Sequence, residues 1–309
     1  MANLTKPLDE SAFSIIGVGL MGASLAMALR DKVCALCGFD SDPVTRALAA
    51  ATPDQGIDRV ADTLPDALLD ADVIVLATPA RTILSLLAEL HEIGASLKPG
   101  ALIIDLGSTK SEIVAAMRSL PPHLYAIGGH PMCGKETSGF SAADPTLYAG
   151  CTFVLCDAGR SQPDHNTLAE SLVRAVGGNP YWLDATLHDQ YVAIISHLPY
   201  LLSMGLVAQV ANDASRDTLF ALAATGFRDT TRLAGSDLAM MGDVMATNTD
   251  AIWRALAGLQ EQLTALLAAF VNDAPPDRAW LSATREERRA WGEAFAKRKE
   301  NPQNPKQGS

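Results

Sequence analysis

Apolar residues in the first half of this chain come in short, nearly unbroken runs. FSIIG (13–17), CALCGF (34–39), ADVIVLA (71–77), ALIIDL (101–106), LYAIG (124–128) and CTFVLC (151–156) are each bounded by polar, Gly or Pro positions. Between most of them, apolar residues return at helical spacing, over 20–30, 42–51, 83–90 and 111–120. Runs of this length read as strands buried on both faces. Strands alternating with amphipathic helices predict a parallel sheet covered by helices on either side. The pattern then changes. From about Leu187 to Phe270 no strand is expected. HDQYVAIISHLPYLLSMGLVAQVAND (188–213) is long and apolar with Pro199 inside it as a kink, and DAIWRALAGLQEQLTALLAAF (250–270) repeats apolar positions at helical spacing. DAPPD (273–277) breaks the pattern, and a charged helix is expected over roughly 282–299. The fold class expected is α/β, with a Rossmann-type nucleotide-binding domain over 11–184. An all-helical domain over 185–272 follows, then a C-terminal helix and disordered tail over 273–309, where KRKENPQNPKQGS is polar and Pro-rich. Helices as apolar as these need partners on more than one side, which predicts a homodimer through the helical half.

Composition narrows the function classes. The chain has 309 residues, 48% hydrophobic, with a formal net charge of −11. An acidic protein has no electrostatic footprint for nucleic acid or anionic lipid, so neither is expected as a partner. No uninterrupted apolar run reaches the ~20 residues that span a bilayer, and MANLTKPLDES lacks a signal-like apolar segment. Five cysteines, at 34, 37, 133, 151 and 156, make an odd set in a chain too long to need disulfide staples. Reduced thiols and a cytoplasmic location are expected. Cys34 and Cys37 form a C-x-x-C, but within a strand they point to opposite faces, so both read as buried free thiols and no metal site is expected.

Gly17-Val18-Gly19-Leu20-Met21-Gly22 is a G-x-G-x-x-G that follows an apolar strand and opens a helix, the context this dinucleotide-binding fingerprint requires. Gly17 allows a tight turn, Gly19 lets backbone approach a pyrophosphate, and Gly22 lets helix and strand pack closely. Leu20 and Met21 sit at the positive end of the helix dipole. Asp40 ends the second strand, where an acidic residue accepts from ribose hydroxyls. It would repel a 2′-phosphate, and Asp42 adds to that repulsion, so NAD is expected over NADP. Arg46 is the nearest compensating cation. Thr78 and Pro79 lie at the end of the third strand, on the edge where such cofactors bind.

Four further segments carry candidate chemistry. DLGSTK (105–110) puts Ser108, Thr109 and Lys110 just past a strand. GGHPMCGKETSG (128–139) is broken by four glycines and Pro131 and reads as a loop presenting His130 past the next strand. In the helical half, ISHLPY (195–200) carries His197, and FRDTTRLAGSD (227–237) carries Arg228, Asp229, Arg232 and Ser236. Each also has an architectural reading. Ser108 would cap the helix from Ser111. His197 would be a hydrogen-bonded core histidine, and Arg232 an ion-pair partner of Asp229 or Asp237. Lys110 and Lys135 would be solvated lysines.

Together, GVGLMGASLA, DLGSTK, GGHPMCGKETSG, SHLPY and FRDTTRLAGSD, in that order over roughly residues 13–270, resemble the prephenate/arogenate dehydrogenase family of tyrosine biosynthesis. The resemblance implies a nucleotide-binding domain packed on a dimerising helical domain, with the active site between them. It implies His130 as the catalytic base and Ser108 as a hydroxyl bonded to it or to the substrate. His197, Arg232 and Ser236 become substrate-binding residues, Arg232 as the carboxylate anchor, while Glu136 and Asp229 gate access. Lys135 departs from the polar residue of some members and adds an anion contact, which favours the keto acid over an ammonium-bearing substrate. The implied reaction is NAD-dependent oxidative decarboxylation of prephenate to 4-hydroxyphenylpyruvate: hydride leaves C4 as CO2 leaves C1 and the ring becomes aromatic. The alternatives are arogenate or dual-substrate dehydrogenation and, more distantly, a β-hydroxyacid dehydrogenase or a non-catalytic NAD-binding module. No lysine on 187–212 serves the chemistry of the β-hydroxyacid enzymes.

Overall fold

The computed structural model describes residues 5–135, 137–271 and 277–300. Among these, the chain divides into two compact units, with the division between His188 and Asp189.

The first unit is built on one eight-stranded sheet. Its strands are β1 (Ala12–Ile16), β2 (Ala35–Phe39), β3 (Arg59–Val60), β4 (Val73–Leu76), β5 (Leu102–Asp105), β6 (Tyr125–Pro131), β7 (Thr152–Arg160) and β8 (Asn179–Trp182), in the order β3-β2-β1-β4-β5-β6-β7-β8. The unbroken apolar runs arise because both faces are covered. Phe13, Ile15, Val73, Val75, Leu102 and Ile104 enter one buried cluster with Leu25, Leu168 and Leu172 from the helices α1 (Leu20–Leu29) and α6 (Pro163–Ala175). Ile16, Ile74, Leu76 and Ile103 enter the opposite cluster with Leu64, Ile83, Leu87, Ile113 and Met117. Those come from α3 (Leu64–Leu68), α4 (Ala80–Ile93) and α5 (Ser111–Met117), and α2 (Pro43–Ala51) follows β2. Successive strand residues point to opposite faces, so an apolar residue at every position is what a doubly covered sheet needs.

Three expectations about this unit require correction. The sheet is mixed: β7 runs antiparallel to β6, while β8 is parallel to β7. Among its described residues the connection from β6 to β7 holds no helix beyond the short turn Phe140–Ala142, whereas a parallel return usually crosses over through a helix. His130 lies on β6 rather than in a loop, for a reason given below. Cys34 is exposed, one residue before β2, and Cys37 is only half-buried.

In the second unit the described elements are helical. A nearly continuous helix comprises α7 (Ala185–Val192), which begins in the first unit, a wide π turn (Ala193–His197) and α8 (Leu198–Ala211). The wide turn ends two residues before Pro199, whose missing N–H cannot continue the i→i−4 ladder. Then follow α9 (Arg216–Leu222), α10 (Thr225–Thr231), the turn Arg232–Gly235, α11 (Leu238–Thr247), α12 (Thr249–Val271) and α13 (Arg278–Glu300). Counting only unbroken apolar runs understates one element: Ala185–Ala211 is long and apolar enough, by length and composition alone, to cross a membrane. Its His188, Asp189, His197 and Ser203 are nevertheless buried within the protein, which fits a helix packed in a folded domain. Helix α13 starts at Arg278, where the Asp277 carboxylate accepts from the Ala279 N–H, and runs through Glu300, so the first tail residues are helical. Residues 301–309 lie outside the described ones.

Candidate active site and nucleotide cradle

The order of the first six strands in the sheet is 3-2-1-4-5-6, with its switch point between β1 and β4, where a ligand-binding crevice forms outside the carboxyl ends. The glycine fingerprint occupies that place. Gly17 has φ of +93°, its N–H donates to Phe39 O at 2.8 Å, and a Cβ there would lie 2.6 Å from Thr78 Cγ2. A Cβ at Gly22 would fall on the Gly17 carbonyl, whereas one at Gly19 would meet nothing. Gly19 is the N-cap of α1, and no side chain caps the Leu20–Met21 turn. The fingerprint thus leaves open backbone and an uncapped helix N-terminus, the features that accept a pyrophosphate.

Around this turn stand the other expected nucleotide contacts. Asp40 follows β2, and its carboxylate accepts from Val18 N and Asp42 N, both at 3.0 Å. Arg46 donates to the carbonyls of Asp40 (2.6 Å) and Ser41 (3.2 Å), so it is engaged with backbone. Thr78 Oγ1 is buried without a hydrogen-bond partner, and Pro79 is the N-cap of α4. A buried orphan hydroxyl beside an open glycine turn fits a bound nucleotide that supplies the missing partner.

Ser108 and His130 sit farther along the same edge. Ser108 is half-buried in the β5–α5 loop and does not cap α5, whose N-cap is Lys110. Strand β6 pairs with β5 only as far as Ile104↔Ile127 but continues to Pro131. Beyond β5, two buried side chains replace the absent strand. Asp105 Oδ1 accepts from the Gly129 N–H at 3.0 Å, and Lys110 Nζ donates to the Gly129 carbonyl at 2.7 Å. Lys110 also pairs with Asp105, which accepts from Gly107 N at 2.8 Å as well. Both side chains are fully buried, so Lys110 is not the solvated lysine that composition suggests. Gly129 must be glycine here, since a Cβ would lie 2.4 Å from Asp105 O.

This brace carries His130 to the rim of the sheet. There, His130 Nδ1 lies 2.8 Å from Nε2 of His188, a buried residue of α7, with the rings edge to face and 5.0 Å apart. His188 was not singled out by the sequence reading. Its only signal is a His-Asp pair at the start of an otherwise apolar helix. Lys135 pairs with Asp144 at 2.8 Å. Asp144 is also bonded by Thr146, and the Lys135 ammonium and Thr146 hold its carboxyl well below the usual carboxylate range. A lysine already matched by a carboxylate gives weaker grounds for preferring a keto acid. Glu136 lies outside the described residues.

In the second unit, His197 is buried at the end of the wide turn, its Nδ1 3.3 Å from Asn248 Nδ2, which donates to the Asp189 carbonyl at 2.8 Å. Arg232 is exposed at the start of the turn after α10, and Ser236 closes that turn, half-buried. The turn is tied to α8 by Ala234 N donating to Ser203 Oγ at 2.8 Å. Asp229 pairs with Arg228 at 2.8 Å, both exposed. Among the described residues no cluster of His, Cys, Asp or Glu could hold a metal ion.

The comparisons with known proteins agree with this layout. The model of the prephenate dehydrogenase nucleotide-binding domain matches residues 25–181, and that of the prephenate dehydrogenase dimerization domain matches 184–279. The chain is 34% identical over 241 residues to prephenate dehydrogenase of Lactococcus lactis subsp. cremoris, and 30% over 240 residues to that of Bacillus subtilis. These alignments take in 76% and 77% of this chain but only 64% of either relative's length. Among solved structures, prephenate dehydrogenase from Aquifex aeolicus, in complex with hydroxyphenyl propionate and NAD+, superposes with a TM-score of 0.82 at 26% identity. That match covers 94% of this chain and 100% of the other. Synechocystis arogenate dehydrogenase gives 0.75 at 28% identity, covering 92% and 99%. With more than half of its residues matched by the first family model alone, the chain belongs to the prephenate dehydrogenase family.

Proposed function

We propose that this protein is an NAD-dependent prephenate dehydrogenase that oxidatively decarboxylates prephenate to 4-hydroxyphenylpyruvate. The observation that carries the reading is the His130–His188 pair at 2.8 Å, on the strand edge that also holds the glycine cradle. Family membership, and the NAD+ bound in the Aquifex aeolicus relative, support it. NAD, when bound, supplies the hydride acceptor.

The residues of this chain then have distinct tasks. Gly17, Gly19 and Gly22 admit the pyrophosphate to the start of α1, Asp40 accepts from the ribose hydroxyls, and Thr78 Oγ1 bonds the nucleotide. The carboxylate of Asp40 disfavours a 2′-phosphate, and Arg46 does not offset it, being engaged with backbone carbonyls. His130 donates its Nδ1–H to His188, and Nε2 takes the proton of the substrate 4-hydroxyl as the carbonyl develops. Positioned proton transfer of this kind contributes ~10²–10⁴ in rate. Ser108 bonds the same hydroxyl. Arg232 is the carboxylate anchor, since a guanidinium fork matches a carboxylate bidentately. His197 and Ser236 line the substrate site, Lys135 adds an anion contact, and Glu136 and Asp229 control access. The active protein is a homodimer through the helical unit, and it acts in the cytoplasm.

Arogenate is the second reading, favoured by the Lys135–Asp144 pair, which puts a carboxylate beside the lysine. A single assay tests both. Purified protein is given NAD with prephenate or with arogenate, and reduced nicotinamide is followed by absorbance while the products are identified. Turnover of prephenate to 4-hydroxyphenylpyruvate is expected. Faster turnover of arogenate to tyrosine would reassign the substrate. NAD binding without turnover of either would leave a nucleotide-binding module.

A further inference from the structure

Strands β6 and β7 continue toward each other beyond their last paired residues. His130 is paired with Val154 and Pro131 with Phe153. The next rung is closed by Met132 N donating to Thr152 O at 2.8 Å. Carried one step further, this antiparallel register brings Cys133 across from Cys151, where the Cys133 N–H turns back to donate to Pro131 O at 2.8 Å. Directly opposed residues of an antiparallel pair have Cα atoms roughly 4.5–5.5 Å apart. A disulfide spans about 4.4–6.8 Å between Cα atoms. The two thiols are near enough to perturb each other's ionisation, both are half-buried, and both pack against the same core cluster. The remaining cysteines differ. Cys156 is buried within β7, and Cys34 and Cys37 flank two residues at the start of β2.

We propose that Cys133 and Cys151 form a reactive dithiol site that exchanges with a low-molecular-weight disulfide of the glutathione type to give an internal Cys133–Cys151 disulfide. The contact divides the labour between the two sulfurs. The hydrogen bond from Cys151 pulls the Cys133 thiol below its ordinary range against the opposing effect of burial, whereas the same bond, with burial, pushes Cys151 far up. Cys133 is therefore the nucleophile, because the thiolate is the attacking form. Its sulfur attacks the small disulfide, breaking that S–S bond, forming a mixed disulfide and releasing one thiolate. With the Cys133 charge gone, Cys151 no longer holds its proton against a neighbouring thiolate. It ionises, attacks the Cys133 sulfur and expels the second small thiolate. Two protein S–H groups are oxidised, one external disulfide is reduced to two thiols, and the two protons end on those products. The resulting bridge would lock the segment that leaves His130 onto the neighbouring strand.

The test uses the full-length reduced protein and oxidised glutathione, read by thiol counting, intact mass and peptide mapping. The wild type is expected to lose two thiols, retain no glutathione, and yield one cross-linked peptide pair joining Cys133 to Cys151, all reversed by dithiothreitol. Cys151→Ser should instead stop at a stable glutathione adduct on Cys133, because the resolving thiol is absent. A lasting adduct on wild-type Cys133, a bridge mapped to other cysteines, or thiols at 133 and 151 that stay reduced while Cys34 reacts would each overturn the proposal.

Discussion

The two units treat apolar residues in opposite ways. In the sheet unit, both faces of the central strands are shut: Ile15, Val73, Val75 and Leu102 have no accessible surface, and even a lysine and an aspartate are fully enclosed. In the helical unit, large apolar side chains stay outside, with Trp253 at 68%, Leu267 at 66% and Phe270 at 63% exposure, while Tyr200, Met241 and Val244 form only a small buried cluster. The sheet unit completes its own core and invests buried polar groups in positioning His130. The helical unit presents along α12 a stripe of Trp253, Leu256, Leu263, Leu267 and Phe270, interrupted at Gln260, a spacing suited to a second helix. On the function proposed above, proton transfer falls to the self-sufficient unit, while the unit that is not self-sufficient supplies the association surface and part of the substrate site.

That contrast can be broken at its strongest point first. His130→Asn should lower turnover by ~10²–10⁴ while NAD affinity, measured by calorimetry, stays the same. A loss of only a few-fold would remove the imidazole from the proton transfer. Next, Lys110→Met leaves Asp105 charged and enclosed, and should cost about 3–5 kcal/mol of stability in urea unfolding. Adding Asp105→Asn should restore part of it. If the single change costs no more than an exposed pair does, under ~1 kcal/mol, β6 does not rest on this brace.

On the helical side, Leu263→Glu with Leu267→Glu removes two apolar contacts worth roughly 1.5–3 kcal/mol each when buried. Sedimentation should then show monomers, with nucleotide affinity unaltered. A dimer that survives both changes would place its interface elsewhere.

The smallest expected effect concerns His165, buried in α6 and stacked on Tyr125 at 3.7 Å. Burial lowers its pKa, with the Gly100 backbone and Asp164 offsetting part of that. The unfolded chain, with an ordinary value of about 6.5, takes up a proton that the folded chain refuses. Stability should therefore be full above about pH 6.5 and decline as the pH falls below it. His165→Phe should flatten that decline below about pH 6.5. An unchanged slope would assign the acid sensitivity to other groups.

Much of this could be read from the residues, and the misses have physical causes. The five longer strands of the parallel arrangement and β7 announce themselves as apolar runs, because two covered faces demand them. Strand β3 is two residues long, and β8 contains Asn179 and Pro180, so neither carries such a signal. The direction of β7 is not encoded in its apolar pattern; it follows from the lack of a crossover helix after β6. The fingerprint was legible because its glycines have steric duties that local sequence displays. His188 was not, since a histidine on an apolar helix looks like a core residue until its partner is known. Lys110 was misjudged for a related reason. Its charge is matched five positions earlier by Asp105, an acid standing inside an apolar run, and only the fold makes that juxtaposition plain.

The substitution of Asp105 and Lys110 for a strand at Gly129 has a consequence for how this protein can change. The acid, the cation and the residue without a side chain form one mechanical unit, and no member tolerates alteration while the others stay as they are. Descendants that move the imidazole elsewhere must therefore revise three codons together, which makes the location of the reactive ring far harder to shift than the identity of what it acts upon.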